Sequence, residues 1–366
     1  MRESLRISSR IIPLAAVFLT CCLFTTSLRA QISPKVRAAK LYEKGRYKKA
    51  LRIYDSILNV NSNDTDSYYG RGLVKLALVD YDGAIKDFKK TLKLNPNDAD
   101  AWLNKGIAES KNEDVTNALA DINHAISLRP DFSDAYNFKG NAEYENGDTA
   151  NAMKDYTKSI QLDSTNMDAF FNRAYMEIYG GRLKPAFDDL TYVIALDSKD
   201  ASAFFYRGLT LDEMKQYRDA ASDYNRAIEI DPKYAEAYLN RGLDKYQLEF
   251  YQLGKDDFTE VVKLDSDNAV GYYCRALCED KLKDYKTAIE DYTTAMRFQD
   301  GYNEAFYGRG NAYLAEGDKD RACDDFNTAY ENGYAPAKAN IDNFCKGSSK
   351  KKGKNKSQSG SGWKIQ

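Results

Sequence analysis

The sequence predicts an all-α solenoid built from helical hairpins, and three observations predict this fold class. Similar segments recur every 34 residues without insertion from residue 31 to residue 336, which makes nine units. Small and large residues hold fixed positions within the units. Proline recurs at position 32 of a unit, as Pro96, Pro130 and Pro232, where it would end a helix. A chain of 366 residues would otherwise suggest two or three globular domains, so the repeats decide the architecture.

Each unit is predicted to be a pair of antiparallel helices. With each unit numbered from 1, position 8 is Gly or Ala in the second to ninth units, and position 20 is Ala or Gly in all nine. Positions 4 and 24 carry large side chains, for example Tyr136 and Tyr156 in the fourth unit. Small residues let two helices approach closely, and large residues fill the space beside them. A single hairpin cannot bury its apolar face, so the units must stack on one another.

These columns of small and large residues resemble the tetratricopeptide repeat (TPR), over about five-sixths of the chain. The resemblance implies a right-handed superhelical solenoid of about nine helix-turn-helix repeats, whose first helices line a concave groove that binds peptides or protein segments. Residues 337–346 resemble the capping helix that such arrays need. The first and seventh units depart from the pattern at Pro34 and Gly254, so we expect these two hairpins to be the least regular.

Residues 1–30 are predicted to be a secretory signal peptide. Three arginines lie in the first ten residues, an apolar run follows from Ile11 to about Leu28, and a small residue, Ala30, closes the segment. The chain is therefore expected to be exported and to be periplasmic, associated with the cell envelope, or secreted. Two alternatives are an uncleaved membrane anchor, which would be the chain's one contact with a membrane, and a lipoprotein modified at Cys21 or Cys22.

Residues 347–366 form a tail rich in Lys, Ser and Gly that is predicted not to fold. Residues 346–366 hold seven lysines and no acidic residue, whereas residues 31–345 carry a formal net charge of -12. The tail is therefore a candidate for contact with an anionic polymer of the envelope or with the acidic repeats of its own chain. A solvated tail without a partner is the alternative.

Four cysteines remain after the predicted signal peptide. Export implies an oxidising compartment, where cysteines can pair. Cys323 and Cys345 are expected at the same end of two antiparallel helices, so they form either a disulfide or two buried thiols. Cys274 and Cys278 are four residues apart on one helix, and we expect both to be small core residues.

The sequence predicts no enzyme, no cofactor, no metal site and no nucleic-acid partner. His124 is the one histidine, which removes Ser-His-Asp triads, Cys-His pairs and sites with several histidines. It falls on a second helix, where we expect an exposed residue with a structural role. The Gly-Arg-Gly segments at 70–72 and 308–310 lie inside predicted helices and lack the strand that phosphate-binding loops require, so they are interpreted as packing glycines.

A ladder of opposite charges is predicted inside the array. The second to ninth units carry Lys or Arg at position 7, and the same units carry Asp at position 23. We expect an ion pair between the two helices of each hairpin, for example between Arg309 and Asp325. Two independently solvated faces are the alternative.

The resemblance implies that positions 2, 5, 9, 12 and 13 of the first helices face the groove. It therefore assigns partner binding to Tyr69, Leu103, Ile107, Asn137, Asn141, Tyr144, Phe171, Tyr175, Phe205, Leu209, Leu239, Tyr246, Tyr273 and Tyr307, and it places Ile178 and Tyr179 beside them. Aromatic and aliphatic anchors dominate the energy of interfaces, so this groove is expected to be adhesive and open to solvent.

Position 2 adds an acidic edge to the groove, at Asp66, Asp100, Asp134, Asp168, Glu236 and Glu304. Acidic residues also favour the first turn of any helix, because they complement the helix macrodipole. The expected partner is a protein or peptide segment with apolar anchors and some positive charge. A glycan or cell-wall polymer stacked on the aromatic rings is the alternative.

Overall fold

The computed structural model describes residues 33–345. The predicted signal peptide (1–30) and the predicted basic tail (347–366) lie outside these residues. Within residues 33–345 the secondary structure is helical, without strands. The chain divides between Thr210 and Leu211 into two compact units, which are described separately. A unit now means one of these two parts, and a repeat means one 34-residue hairpin.

The first unit contains ten complete helices: α1 (Pro34–Glu43), α2 (Tyr47–Val60), α3 (Thr65–Ala77), α4 (Tyr81–Leu94), α5 (Ala99–Lys111), α6 (Val115–Leu128), α7 (Ser133–Glu145), α8 (Thr149–Leu162), α9 (Met167–Tyr179) and α10 (Leu183–Leu196). The next helix, α11 (Ala201–Glu213), crosses the boundary. The second unit continues with α12 (Tyr217–Ile230), α13 (Ala235–Gln247), α14 (Tyr251–Leu264), α15 (Ala269–Lys281), α16 (Tyr285–Phe298), α17 (Asn303–Ala315), α18 (Lys319–Glu331) and α19 (Ala337–Phe344).

These bounds confirm the predicted all-α repeat. In the second to ninth repeats, the first helix begins at position 1 and the second helix begins at position 17. The odd-numbered helices α1 to α17 are therefore the first helices of the repeats, and the even-numbered helices are the second helices. Within each unit, the two helices of a hairpin pack on each other, and the second helix also packs on the first helix of the next repeat.

The close approach that the small residues predicted is present in both units. A Cβ atom added to Gly140 would lie 2.7 Å from the ring of Tyr156, which is fully buried. In the second unit, a Cβ atom on Gly242 would lie 2.7 Å from the ring of Phe258. Atoms at that distance would overlap, so glycine at position 8 sets the separation of the two helices.

Each hairpin turns through one residue with a left-handed backbone at position 15. Its φ angle lies between 59° and 87° in all nine turns of the described chain. Glycine holds this position in four turns, for example Gly147 with φ 84°, and the other five are Val79, Glu113, Lys215, Glu249 and Lys283. A left-handed backbone costs free energy for any residue with a Cβ atom, and Val79 is branched at that atom.

The first hairpin is irregular, as predicted. The prediction of an irregular seventh hairpin is wrong. Helix α1 begins at Pro34 and has 10 residues, whereas the later first helices have 13. Helices α13 and α14 have the usual 13 and 14 residues. A Cβ atom on Gly254 would lie 3.1 Å from the carbonyl oxygen of Gly242 and 3.2 Å from Sγ of Cys278, so glycine here preserves the packing.

The last helix closes the second unit. Helix α19 packs on α18 through Ala337, which is fully buried. Cys323 and Cys345 form a disulfide, with their sulfur atoms 2.02 Å apart, so the pairing that the sequence left open is made. Cys274 and Cys278 are free and buried, as expected for small core residues.

Candidate protein-binding face

The predicted ladder of ion pairs is confirmed within the two units. Position 7 pairs with position 23 of the same hairpin at Arg71–Asp87, Lys105–Asp121, Lys139–Asp155, Arg173–Asp189, Arg241–Asp257, Arg275–Asp291 and Arg309–Asp325. Arg207 belongs to the first unit and Asp223 to the second. The arginine pairs are bidentate: Arg309 donates from Nε at 2.8 Å and from Nη2 at 2.7 Å to the two oxygens of Asp325.

The ladder cations also lie over the aromatic rings of position 4. Arg241 lies 5.3 Å from the ring centre of Tyr238, and Arg173 lies 5.6 Å from that of Phe170. Each such repeat therefore joins a ring, a cation and a carboxylate between its two helices. The ladder is internal to the hairpins and provides their polar packing.

Sequence reasoning missed a third column of charge at position 11. Glu109, Glu143 and Glu177 are buried there, and each has one oxygen without a hydrogen bond in residues 33–345. Burial, followed by the nearby Asp of position 23, raises the pKa of all three carboxyls to about 7. The signal was present in the sequence as an acidic residue four positions after the basic residue of position 7.

A second acidic cluster lies in the second unit. Tyr224 donates a hydrogen bond to Asp212, which also faces Asp244 on the next first helix. Burial, followed by the neighbouring Asp212, raises the pKa of Asp244 to about 9. In the eighth repeat, Tyr292 donates at 2.6 Å to Asp280, and burial raises the pKa of that carboxyl to about 6. At neutral pH Asp244 therefore holds a proton, which stabilises its burial without a cation.

The surface of the first helices at positions 2, 5, 9, 12 and 13 is called the first-helix face below. In the first unit it contains an aromatic cluster centred on Tyr175. The ring centre of Tyr175 lies 6.3 Å from that of Tyr144, 5.6 Å from that of Tyr206 and 4.7 Å from that of Tyr179. Phe171 packs on Tyr206 at 5.1 Å. The cluster therefore joins α7, α9 and α11.

The expectation that the whole face is open to solvent is wrong. Half of the predicted binding residues are buried, namely Leu103, Ile107, Asn137, Asn141, Phe171, Tyr175 and Phe205. Phe171 and Tyr175 are 2% and 4% exposed because Tyr206 of the next first helix covers both rings. These side chains hold neighbouring repeats together, and shortening them would leave cavities in the core.

The two buried asparagines belong to a polar network beneath the aromatic cluster. Asn172 donates from Nδ2 to Oδ1 of Asn137 at 3.1 Å and to Oδ1 of Asn141 at 3.0 Å. Tyr156 donates its hydroxyl to the same Asn141 oxygen at 2.8 Å. Nδ2 of Asn141 is buried without a hydrogen bond among the described residues. The three hydrogen bonds join the fourth and fifth hairpins and so contribute to how these hairpins stack.

The remaining predicted residues are half-buried and so present part of their side chains to solvent: Tyr69, Tyr144, Leu209, Leu239, Tyr246, Tyr273 and Tyr307. Tyr179, which position 13 places beside them, is the most accessible aromatic residue of the first unit's face, with 64% of its surface exposed. Its ring rests on buried Tyr175, so the exposed ring has a rigid support.

The acidic edge at position 2 is partly neutralised by the chain itself. In the first unit, Asp66 pairs with Lys35 at 3.0 Å, and Asp100 pairs with Arg129 at 2.6 Å. In the second unit, Glu236 and Glu304 are exposed, and neither has an ion-pair partner within residues 33–345. The edge is therefore more available to a ligand in the second unit.

His124, the one histidine, packs on Trp102. Their ring centres are 4.5 Å apart, Trp102 donates from Nε1 to the carbonyl of Pro96 at 2.8 Å, and Lys105 lies 5.4 Å from the Trp102 ring. His124 is exposed on α6, as predicted. In residues 33–345 no cluster of three or more His, Cys, Asp or Glu side chains could hold a metal.

An open cleft of about 640 Å³ lies beside α16 and α18 in the second unit. Arg321 lies over the ring of Tyr313 at 4.5 Å and pairs with Asp318 at 2.5 Å, so this cation of the cleft already has a partner within the chain. Across the described helices, none has the length and apolar character required to span a bilayer.

The structure therefore defines an all-α repeat protein whose hairpins share one accessible face within each unit. Tetratricopeptide repeat families match residues 65–98, 103–166, 201–234 and 304–332. The first and third of these stretches begin at the first residue of a 34-residue repeat. The chain is a tetratricopeptide repeat protein. Proteins of this family are generally scaffolds for protein interaction without catalytic activity.

Among proteins with curated functions, none matches the sequence significantly. Solved structures do match. The Cut9–Hcn1 hetero-tetramer of the APC/C provides a chain 17% identical with a TM-score of 0.54, over 76% of this chain and 55% of that one. The C-terminal part of a TPR repeat-containing protein from Cytophaga hutchinsonii is 16% identical with a TM-score of 0.53, over 66% and 98%. YrrB, a TPR protein with an unusual peptide-binding site, is 17% identical with a TM-score of 0.47, over 51% and 97%. Likeness at this level of identity concerns the fold.

Proposed function

We propose that this protein is a scaffold that binds a segment of a partner protein on its first-helix face, at the aromatic cluster of the fourth and fifth repeats. The observation that carries the proposal is Tyr179, a largely exposed ring whose centre lies 4.7 Å from that of buried Tyr175. A tyrosine held in place by a packed neighbour loses little side-chain entropy on binding, and tyrosine is enriched among the residues that dominate interface energies. Tyr144, half-buried at 6.3 Å from Tyr175, extends the same surface.

The partner segment is proposed to carry apolar anchors and some positive charge. Tyr144 and Tyr179 offer apolar ring faces, which bury favourably against aliphatic or aromatic side chains. Asp134 and Asp168 lie at position 2 of the same two first helices, at the acidic edge of the face. A basic residue beside the apolar anchor would meet this edge, and the attraction would act mainly on the rate and specificity of binding.

We propose that this binding takes place outside the cytoplasm, in the periplasm or the cell envelope. The support is the charged, apolar and small-residue order of residues 1–30. The basic composition of residues 347–366 supports additional contact with an anionic envelope polymer. Cell fractionation and N-terminal sequencing of the mature chain test the location; a mature chain that begins at Gln31 in the envelope fraction supports it, and an intact chain in the cytoplasm contradicts it.

Two tyrosines of the first unit allow a matched test of the binding face. A photoreactive phenylalanine analogue is placed at Tyr179 or, as the control, at Tyr192, which is 39% exposed on α10, a second helix. After irradiation in the producing cells, we expect a discrete protein adduct from position 179 that is absent from position 192. Equal adducts from both positions, or none from position 179, would contradict the proposal.

A further inference from the structure

Two pairs of tyrosines lie near each other in the second unit, and Tyr334 of one pair is close enough to Tyr273 of the other to act on its ionisation. The four residues are called the tyrosine quartet here: Tyr273, Tyr302, Tyr307 and Tyr334. The ring centres of Tyr273 and Tyr302 are 4.9 Å apart, and those of Tyr307 and Tyr334 are 5.3 Å apart. The residues come from α15, the turn before α17, α17 itself and the turn before α19. All four are half-buried, so each ring has one part packed in the fold and one part accessible.

One carboxylate belongs to this cluster. Glu304 lies in the first turn of α17 and is exposed. It is close enough to Tyr273, Tyr302 and Tyr334 to act on the ionisation of their hydroxyls: burial raises the pKa of Tyr334, and the negative charge of Glu304 raises it further. Glu304 therefore places an exposed carboxylate beside the quartet.

The quartet differs from the position 4 rings of the second unit in its lack of a cation. Rings at position 4 are covered by their own ladder arginine, as Arg275 covers Tyr272 at 5.3 Å and Arg309 covers Phe306 at 5.7 Å. Within residues 33–345, no Lys or Arg lies over a ring of the quartet. The quartet and Glu304 thus combine aromatic faces with an unpaired carboxylate.

Tyrosine rings beside a carboxylate favour a ligand whose cationic group is attached to an apolar chain. The faces of tyrosine rings attract an ammonium group, and the attraction grows when water is partly excluded. A carboxylate at the edge adds a charge-assisted hydrogen bond. A lysine side chain supplies both parts, because its four methylene groups can lie along the rings while its ammonium meets the carboxylate.

The chain itself offers lysines within reach of the quartet. Tyr334 lies just before α19, an eight-residue helix about 12 Å long, and Cys345 lies at the other end of that helix. The disulfide to Cys323 holds that end against α18. Lys350, Lys351 and Lys352 follow Cys345 by five to seven residues, which can span at most about 17 to 24 Å. That length suffices to return along α19 to the quartet.

The distribution of charge along the chain favours contact between these lysines and the second unit. Residues 211–345 contain 28 acidic and 17 basic residues, whereas residues 346–366 contain seven lysines and no acid. Residues 33–210 are close to neutral, with 26 acidic and 25 basic residues. The attraction therefore acts between adjacent parts of the chain, where tethering makes the local concentration high.

We propose that the tyrosine quartet and Glu304 form a receptor for a lysine side chain, and that Lys350, Lys351 or Lys352 of the same chain occupies it. Tyr273 and Tyr307 belong to the predicted partner face, so this contact would compete with a basic partner segment at the second unit. The inference goes beyond the proposed scaffold function, and its test needs no partner.

The test is carbodiimide crosslinking of the full chain, which joins carboxylates to amines that touch them, followed by peptide mass spectrometry. A mixture of isotopically light and heavy chains separates crosslinks within one chain from crosslinks between two. We expect Glu304 to join Lys350, Lys351 or Lys352 within one chain. The triple variant K350Q/K351Q/K352Q should lose the crosslink, and the matched control K354Q/K356Q/K364Q, which removes the same charge, should retain it.

The rings are tested by the double variant Tyr302→Leu/Tyr334→Leu, with Tyr330→Leu, an exposed tyrosine of α18, as the control. Circular dichroism establishes that each variant keeps its helices. We expect the double variant to lower the crosslink yield roughly three- to tenfold, the range that loss of cation–π contacts supports, and the control to leave it unchanged. The proposal is overturned if Glu304 forms no crosslink, if it joins all seven lysines equally, if it joins only a second chain, or if the leucine pair has no effect.

Discussion

The ammonium of Lys105 lies 3.0 Å from the carboxylate of Glu109 while it also contacts Asp121, so one cation faces two buried carboxylates. Lys139 repeats this arrangement, at 2.7 Å from Asp155 and 3.4 Å from Glu143. In each of these two hairpins, the buried groups therefore include more potential negative charges than positive charges. Burial, followed by the neighbouring Asp of position 23, raises the pKa of Glu109 and Glu143 to about 7, so that a proton on the glutamate can balance the excess.

Stability is predicted to fall as the pH rises through neutrality. The pKa values of Glu109, Glu143 and Glu177 are raised from 4.5 to about 7 in the folded chain. A raised carboxyl pKa means that the folded state binds the proton more tightly, so the stabilisation is complete below about pH 4.5 and is lost as the pH passes 7. We expect a loss on the order of 1 kcal/mol for each carboxyl between pH 5 and pH 8, measured by urea denaturation.

The control for this prediction removes the titrating groups. The triple variant Glu109→Gln/Glu143→Gln/Glu177→Gln should show a flatter dependence of stability on pH than the wild-type chain. Glu290→Gln, at an exposed position of α16, should keep the wild-type slope. A triple variant as steep as the wild type would assign the pH dependence to other groups.

Removal of one partner of a ladder ion pair is predicted to lower the free energy of unfolding more than removal of both partners. Arg309→Met leaves Asp325 buried without its bidentate partner, and we expect the free energy of unfolding to fall by about 2–3 kcal/mol. The double variant Arg309→Met/Asp325→Leu should recover more than half of that loss, since neither charge is then stranded. Urea denaturation of the two single variants and the double variant measures the coupling, and strictly additive effects would show that the pair is not coupled.

Replacement of Val79 by glycine is predicted to stabilise the fold. Its backbone φ of 64° is left-handed, which costs a residue with a Cβ atom about 1–2 kcal/mol. Val79 is 66% exposed, so its side chain contributes little burial. We expect Val79→Gly to stabilise the chain by about 0.5–1 kcal/mol after the entropy of glycine is subtracted, measured as a higher thermal midpoint.

The reverse change tests the same cause. Gly147 occupies the equivalent turn of the fourth repeat with φ 84°, and a Cβ atom there would meet nothing within 4 Å. Gly147→Val should therefore lower the thermal midpoint through backbone conformation alone. If both variants shift the midpoint in the same direction, the left-handed backbone is not the cause.

The disulfide is predicted to hold the capping helix on the second unit. Cys323 and Cys345 are separated by 22 residues, and a crosslink over such a loop contributes about 3 kcal/mol. Cys345→Ser should make the amides of α19 exchange hydrogen much faster, with little change in α15 and α16. A reducing agent should reproduce the effect in the wild-type chain and add nothing in the variant.

The two other cysteines should not complicate that experiment. Cys274 and Cys278 are buried, and burial raises the pKa of each thiol to about 12, so little thiolate is present at neutral pH. Rapid labelling of either cysteine by iodoacetamide in the native chain would contradict this.

The ladder was predictable because its two columns recur at one fixed spacing. Arg71 and Asp87 are 16 residues apart, and every later basic residue of position 7 has an Asp at that same interval. Repetition of one spacing across eight hairpins indicates a contact that the fold itself requires. The buried Glu109 and Glu143 escaped notice because an i,i+4 pair of Lys and Glu usually marks a solvated helix face.

The sequence predicted which residues lie on the candidate face but did not predict how far each side chain is exposed. Positions 5, 9 and 13 place Phe171, Tyr175 and Tyr179 on one side of α9, yet two are buried and the third is 64% exposed. The difference comes from Tyr206, which extends from α11 over the first two rings. Periodicity states which way a side chain points, whereas exposure depends on the length and angle of side chains on the neighbouring helix.

The sequence by itself determined the number of repeats and the pairing of their charges, because each is a local pattern copied every 34 residues. The tertiary structure alone decided which aromatic rings became core and which stayed accessible, and whether Cys323 met Cys345. The physical reason is that burial and covalent pairing depend on distances between side chains of different helices, and those distances arise from packing that no single repeat encodes.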